Sequence, residues 1–178
     1  MKKFLSILAL IALAGCAPAA EVEQTIQEIA IEPPCNVNLI QLEPTPEPPF
    51  AFDFGNTTIN LNQNISEIIP RVGEPLGIHQ TPSCAFEGYD RIFRFPGIQL
   101  HTFPQGDNDF IQIISLWDDS ITTQEGVYIG ASWSDVLATY GTNFYQEMNM
   151  KTFTRGNTTL SFYVQNNQVI EITYALIM

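Results

Sequence analysis

The chain has 178 residues with 19 acidic and 7 basic side chains, which gives a formal net charge of −12 at neutral pH. A surface of this charge repels nucleic acid and anionic lipid headgroups, so it excludes a nucleic-acid partner and direct adhesion to an acidic membrane. No Gly-x-Ser-x-Gly, His-Glu-x-x-His or phosphate-loop motif occurs, and the chain has two histidines. The composition therefore predicts no catalytic residue, no cofactor and no metal site.

The first fifteen residues have the pattern of an export signal. Lys2 and Lys3 precede an apolar run over 4–12, which is far shorter than the roughly 20 residues of a membrane-spanning helix. The following quartet, Leu13-Ala14-Gly15-Cys16, resembles the bacterial lipobox. The resemblance implies cleavage after Gly15 and acylation of Cys16, including a palmitate-type chain. The alternative is an ordinary signal peptide that happens to be followed by a cysteine.

Cleavage would remove two basic residues and no acidic one, taking the formal net charge from −12 to −14. Because a single acyl chain binds a bilayer only marginally, the multiply acylated Cys16 must carry the attachment without help from a basic patch. The predicted location is therefore the extracytoplasmic side of the cell membrane. The lipid bilayer is the one partner that the sequence identifies.

Residues 16–50 are predicted to form an acidic, proline-rich tether, because they contain six glutamates, seven prolines and no Lys or Arg. Within it, Gln24 to Ile31 is predicted as a short helical turn and Val37 to Leu42 as a strand. Cys35 in this tether and Cys84 in the following domain are the remaining cysteines. Outside the cytoplasm two such thiols usually form a disulfide, which is predicted here and would contribute about 4 kcal/mol in the chain-entropy model.

Residues 51–178 are predicted to form one globular domain, since 128 apolar-rich residues can bury about two thirds of their unfolded surface. An internal repeat supports this prediction, because 61–76 aligns without a gap on 129–144. Asn64 and Ser132 are the predicted helix N-caps, with Glu67 and Asp135 three residues later. Gly73 and Gly141 are the predicted stops.

The repeat predicts an α+β fold: two tandem helix-plus-three-strand units, about 57–118 and 126–178, forming a mostly antiparallel sheet with the helices on one face. Thr57 to Leu61 and Gly126 to Ile129 are predicted as leading strands. The six strands predicted after the helices are Tyr89 to Phe95, Ile98 to Phe103, Phe110 to Trp117, Tyr145 to Thr154, Thr159 to Gln165 and Val169 to Leu176.

Alternation along these strands predicts which sheet face is open to solvent. In the second unit Ile170, Ile172, Leu176, Leu160, Phe162 and Val164 form the apolar set, and Ser161, Tyr163, Gln165, Glu171 and Thr173 point the other way. In the first unit Arg94, Gln99, His101 and Gln112 are predicted to share the open face. The candidate binding residues are Arg94, Gln99, His101, Gln112, Tyr163 and Glu171.

The Gly-x-Ser-x-x-Asp-Val-x-x-x-Tyr-Gly stretch at 130–141, followed by three strands, resembles β-lactamase-inhibitor-like modules and small outer-membrane assembly lipoproteins. The tandem arrangement favours the former. The stretches at 83–90 and 118–126 resemble an uncharacterised group of secreted lipoproteins from anaerobic Gram-positive bacteria. Because inhibitors of this shape press an open sheet and its loops against an enzyme, the resemblance implies protein binding.

Two function classes follow from these observations. The first is a non-enzymatic, membrane-anchored module that binds a protein or an envelope polymer through the open face. The second is an envelope-associated hydrolase, with His101 as general base and Asp118 or Asp119 orienting it, or a binder of a small ligand. The simplest alternative for Arg94 and Glu171 is a cross-strand charge pair, and for Asp107-Asn108-Asp109 it is a turn rather than a calcium site.

Overall fold

The computed structural model describes residues 47–177, which form ten strands and two short helices. The strands are β1 Ala51–Phe54, β2 Thr57–Asn60, β3 Gly77–Pro82, β4 Tyr89–Phe95, β5 Ile98–Gln105, β6 Asn108–Leu116, β7 Tyr145–Glu147, β8 Met150–Arg155, β9 Thr158–Gln165 and β10 Gln168–Leu176. The helices are α1 Ile65–Val72 and α2 Trp133–Tyr140. No helix among these residues is both long and apolar enough to cross a membrane.

Eight of the strands form one antiparallel sheet in the order β3-β4-β5-β6-β10-β9-β8-β7. Each half of this sheet is a four-stranded meander, and the two meanders join where β6 pairs with β10. The strands β1 and β2 form a separate two-stranded hairpin. Within each meander, neighbouring strands are joined by short turns, which is why their pairing is antiparallel.

The predicted helix ends are confirmed. The side chain of Asn64 accepts a hydrogen bond from the N–H of Ser66, and Ser132 forms a reciprocal capping box with Asp135. Gly73 and Gly141 end the two helices with positive φ angles, a conformation that costs glycine little. Each helix is eight residues long, or about 12 Å at 1.5 Å per residue.

The predicted α+β class was wrong, because the described residues form a mostly β structure. Two helices of eight residues are too short to make a layer over eight strands, and the hairpin β1–β2 packs into the same core as they do. The predicted unit of one helix and three strands is also wrong, since each half of the sheet has four strands. The sequence prediction omitted β3 and read β7 and β8 as one strand, although Met148 turns the chain between them with φ 51°.

A single hydrophobic cluster joins the helices, the hairpin and one face of the large sheet. Trp133 of α2 packs edge-on to Phe144, with ring centroids 5.1 Å apart, and the Lys151 ammonium lies 4.1 Å from the centre of its ring. Phe50, which precedes β1, is 4% exposed and belongs to this cluster. The folded unit therefore includes the last residue of the predicted tether.

Several predictions concern residues outside 47–177. They are the signal peptide at 1–15, the lipidated Cys16, the helical turn and strand within the tether, and Cys35. Cys84 lies exposed in the loop between β3 and β4 and forms no disulfide with any residue of the described range. The proposed bond between Cys35 and Cys84 stays a prediction.

Candidate functional site: the open face of the sheet

The two faces of the eight-stranded sheet differ in what covers them. Every second residue of the central strands is buried in the hydrophobic cluster, as Leu100, Ile114 and Tyr174 illustrate. The residues between them lie on the opposite face and are only partly buried. We call this opposite face the open face.

An uninterrupted polar row crosses the open face from β4 to β7. Because residues that are directly paired in an antiparallel sheet share a face, the strand register defines the row. Its seven members, one from each of seven neighbouring strands, are Arg94, Gln99, Ser115, Thr173, Ser161, Thr152 and Tyr145. Six strand spacings of about 4.8 Å make the row about 29 Å long.

The hydroxyls of the polar row are partly engaged with neighbours. The Thr152 and Ser161 hydroxyls lie 2.8 Å apart, and the Thr173 hydroxyl donates to Oε1 of Glu171 at 3.3 Å. A hydroxyl has one donor and two acceptor positions, so each retains capacity for a further hydrogen bond. The polar row therefore offers both donors and acceptors to a molecule laid along it.

A second row, next to the polar row, places both histidines on the open face. The strand register puts His79 beside Ile92, Ile92 beside His101, and His101 beside Ile113. Burial among these neighbours lowers the pKa of His101 from its ordinary value of 6.5, because burial disfavours the charged imidazolium. Burial therefore favours the neutral form of the His101 imidazole.

Aromatic side chains flank the polar row. The Arg94 guanidinium lies 5.3 Å from the centre of the Trp117 ring, which is 45% exposed. On the other half of the sheet Tyr163 pairs with Glu171, and its hydroxyl accepts a hydrogen bond from the Asn149 amide at 3.3 Å. Tyr145, at the end of the row, is 65% exposed.

The predicted binding residues fall into separate groups on this face. Arg94 and Gln99 are neighbours in the polar row, and His101 lies in the next row. Tyr163 and Glu171 pair on the other half of the sheet. Gln112 has no strand partner, because a bulge opposite His101 and Thr102 shifts the register of β6 there.

The structure also separates Arg94 from Glu171. Arg94 lies on β4 and Glu171 on β10, which is three strands away, or about 14 Å. The cross-strand pair considered for these two charges is therefore not formed. A second bulge between Val169 and Glu171 leaves Ile170 exposed, so the assignment of Ile170 to the core face was wrong.

A loop closes one corner of the open face. Ser83 Oγ accepts hydrogen bonds from the backbone N–H groups of Ala85 and Phe86, and this turn sets the Phe86 ring 5.0 Å from that of Phe103. Phe103 is thereby buried although its neighbours on the same face are not. Cys84 sits in this loop, exposed beside the covered corner.

The arrangement considered for a hydrolase is not assembled in the described residues. His101 has Ile92 and Ile113 as its strand neighbours, and Asp118 follows Ile113 by five residues, or about 17 Å along an extended chain. The Asp118 carboxylate instead accepts from the backbone N–H of Ser120 at 2.9 Å.

The acidic turn considered for calcium is also engaged elsewhere. Asp109 forms an ion pair with Arg91, and the side-chain oxygen of Asn108 accepts from the Asn64 amide at 2.9 Å. Within residues 47–177 no group of three His, Cys, Asp or Glu side chains is placed to hold a metal ion.

Sequence reasoning missed Ser115, Thr152 and Tyr145 as members of the polar row. Alternation within each strand indicates the face of a residue, and it placed Ser161 and Thr173 correctly on the open face. It does not indicate which residues of different strands stand side by side. That register depends on the bulges and on the edge strands β3 and β7, which the sequence did not predict as separate strands.

Comparisons with known proteins do not identify a family for this chain. No protein-family model matches the chain, and no curated protein matches it. Among solved structures, an extracellular protein containing a SCP domain from Bacillus anthracis str. Ames aligns with a TM-score of 0.37 and 9% sequence identity. The alignment covers 69% of this chain and 49% of that one, so this chain matches about half the length of that structure.

A likeness at this level establishes neither a shared fold nor a shared function. The resemblance of residues 130–141 to β-lactamase-inhibitor-like modules therefore stays a prediction.

Proposed function

We propose that this protein is a non-enzymatic, membrane-anchored lipoprotein whose open sheet face binds a protein or a polymer of the cell envelope. The observation that carries the proposal is the polar row, because seven hydrogen-bonding side chains stand in line across seven strands. A row about 29 Å long suits an extended chain of repeating polar groups better than a compact ligand.

The surroundings of the polar row support the same interpretation. Trp117 lies beside the row and Tyr145 is its last member, and both are large exposed aromatic side chains of the kind that is enriched in binding interfaces. Arg94 supplies a guanidinium that forms no ion pair among the described residues. These groups combine contact area with hydrogen-bonding capacity.

The anchoring part of the proposal rests on the sequence. The quartet that ends at Cys16 resembles a lipobox, and the acidic, proline-rich segment after it is suited to an extended spacer. The protein would thus present the open face to partners outside the cytoplasm while the acylated cysteine stays in the bilayer.

Photo-crosslinking in cells tests the binding face directly. A photoreactive amino acid replaces Thr173 in the polar row, or Ala138, which is exposed on α2 and lies on the other side of the sheet. Mass spectrometry identifies what is captured. We expect one recurrent protein or envelope polymer with the probe at Thr173 and not with the probe at Ala138.

Variants of the open face then test which side chains matter. Combined Arg94→Ala and Gln99→Ala changes should abolish the Thr173 crosslink, whereas Ser134→Ala, exposed on α2, should leave it unchanged. Equal capture from both probe positions would contradict the assignment of binding to the open face. Persistence of a processed, membrane-bound form in Cys16→Ala would contradict the lipid anchor.

A further inference from the structure

A groove lies beside the hydrophobic core, away from the open face. It has a volume of about 580 Å³ and is bordered by the β1–β2 turn, the last turn of α1 and the β4–β5 turn. The ring of Phe54 forms one wall and packs against the core residue Phe95, with centroids 6.3 Å apart. This volume lies within the roughly 300–1,000 Å³ that is typical of small-molecule sites.

The walls of this groove are largely apolar. Phe54, Val72 and Ile121 are partly buried, and Pro96 completes the apolar lining. Gly97, next to Pro96, has no room for a side chain, because a Cβ there would stand 2.4 Å from Ile121 Cγ1. This close approach fixes Ile121 against the β4–β5 turn and keeps the wall in place.

The polar lining contains one ionisable group. Arg71 lines the groove together with the polar residues Asn56, Thr57 and Ser120, and no acidic residue does so. This absence is notable because residues 47–177 contain 14 acidic and 5 basic side chains. Nearby Asp118 is engaged by Ser120, whose backbone N–H donates to it at 2.9 Å.

Arg71 forms no ion pair with any described residue, unlike Arg91 and Arg155. Arg71 lies in the last turn of α1, where its positive charge interacts favourably with the negative end of the helix dipole. This interaction does not require the guanidinium to pair with a carboxylate. The planar guanidinium is therefore available to bind an oxyanion through two parallel hydrogen bonds.

We propose that this groove binds a small amphipathic carboxylate, with its apolar body against Phe54, Val72 and Ile121 and its carboxylate on Arg71. The complementarity has two parts. The apolar walls remove the ligand body from water, and Arg71 supplies the positive charge at the rim. This site is independent of the open face and does not rest on the function proposed above.

Titration calorimetry of the purified full chain tests this site with phenylacetate as the probe and 2-phenylethanol as its neutral counterpart. We expect phenylacetate to bind about tenfold more tightly, because a charge-assisted hydrogen bond is worth at least one factor of ten. Arg71→Gln should remove this difference. Arg94→Gln is the matched control, since it removes an exposed guanidinium on the open face, and it should preserve the difference.

A second variant places a competing charge in the groove. Asn56 is exposed, so Asn56→Glu is compatible with the fold, and its carboxylate should compete for Arg71 and weaken phenylacetate binding about tenfold. Equal affinity for the acid and the alcohol would overturn the proposal. So would the absence of phenylacetate binding at millimolar concentration, or unchanged binding in Arg71→Gln.

Discussion

The two faces of the large sheet share one backbone but carry different kinds of side chain. On the core face, aromatic and branched side chains from the sheet, both helices and the β1–β2 hairpin form one cluster. On the open face, side chains with hydrogen-bonding groups stand in a row that no element of residues 51–177 covers along its length. The core face therefore provides most of the stability, and the open face carries the hydrogen-bonding groups on which the proposed binding rests.

The largest expected effect is on the core face, at Trp133. This residue is 9% exposed and contacts the rings of Phe144, Phe153 and Phe162. Trp133→Ala should lower the free energy of unfolding by about 3–5 kcal/mol, because it removes a large buried side chain and leaves a cavity. Urea denaturation measures this loss. A loss below about 1 kcal/mol would contradict a shared core between α2 and the sheet.

The next effect concerns the charges on the core face. The strand register places Arg91 on that face, where it pairs with Asp109, whose Oδ1 is buried without a hydrogen-bond partner. Arg91→Gln should lower the unfolding free energy by about 1–3 kcal/mol, because Asp109 loses its counter-charge. The double variant Arg91→Gln, Asp109→Asn should recover part of this loss in the same denaturation experiment. No recovery would show that the carboxylate charge is unimportant.

A smaller effect depends on pH and concerns His101 on the open face. Because burial lowers its pKa in the folded state below 6.5, the unfolded chain binds the proton more readily as the pH falls. Stability from this residue is therefore present above pH 6.5 and is lost as the pH falls through the lowered folded pKa. His101→Gln should lose less stability than the wild type between neutral pH and pH 5, as measured by urea midpoints. His79→Gln is the control, and an equal loss in both variants would contradict the effect of burial.

The smallest effect is expected at Thr173, in the centre of the polar row. Thr173→Ala should change the unfolding free energy by no more than about 0.5 kcal/mol, since its hydroxyl is partly exposed to water. The same change should weaken binding of the crosslinked partner. Measuring both quantities on one variant gives the sharpest comparison of the two faces. A large stability loss with unchanged partner binding would reverse the roles assigned to them.

Local signals made much of this fold predictable. The bounds of β4 match the predicted strand from Tyr89 to Phe95, and the capping box at Ser132 and the stops at Gly73 and Gly141 are present. These features depend on a few neighbouring residues, so the sequence contains them directly. The predicted fold class was wrong because the fold class also depends on the strands at the edges of the large sheet.

The edge strand β3 shows why. All six of its residues are exposed, so no alternation of buried and exposed positions marks Gly77–Pro82 in the sequence. The candidate site was also difficult to predict from the sequence. Five of the six predicted open-face residues alternate with core positions, but their grouping into rows follows from pairing between strands that are distant in sequence.

The junction of the two meanders has a kinetic consequence. Within each meander the paired strands follow one another along the chain, whereas Ile113–Leu116 of β6 pair with Ile172–Ala175 of β10, about 60 residues later. Such a long closure is slow, so we expect this ladder to form last during folding and to open early during unfolding. The pair Ser115 and Thr173 lies in this ladder and in the polar row alike. A polymer bound along the row would therefore hold the two halves together and slow mechanical or thermal opening of the sheet.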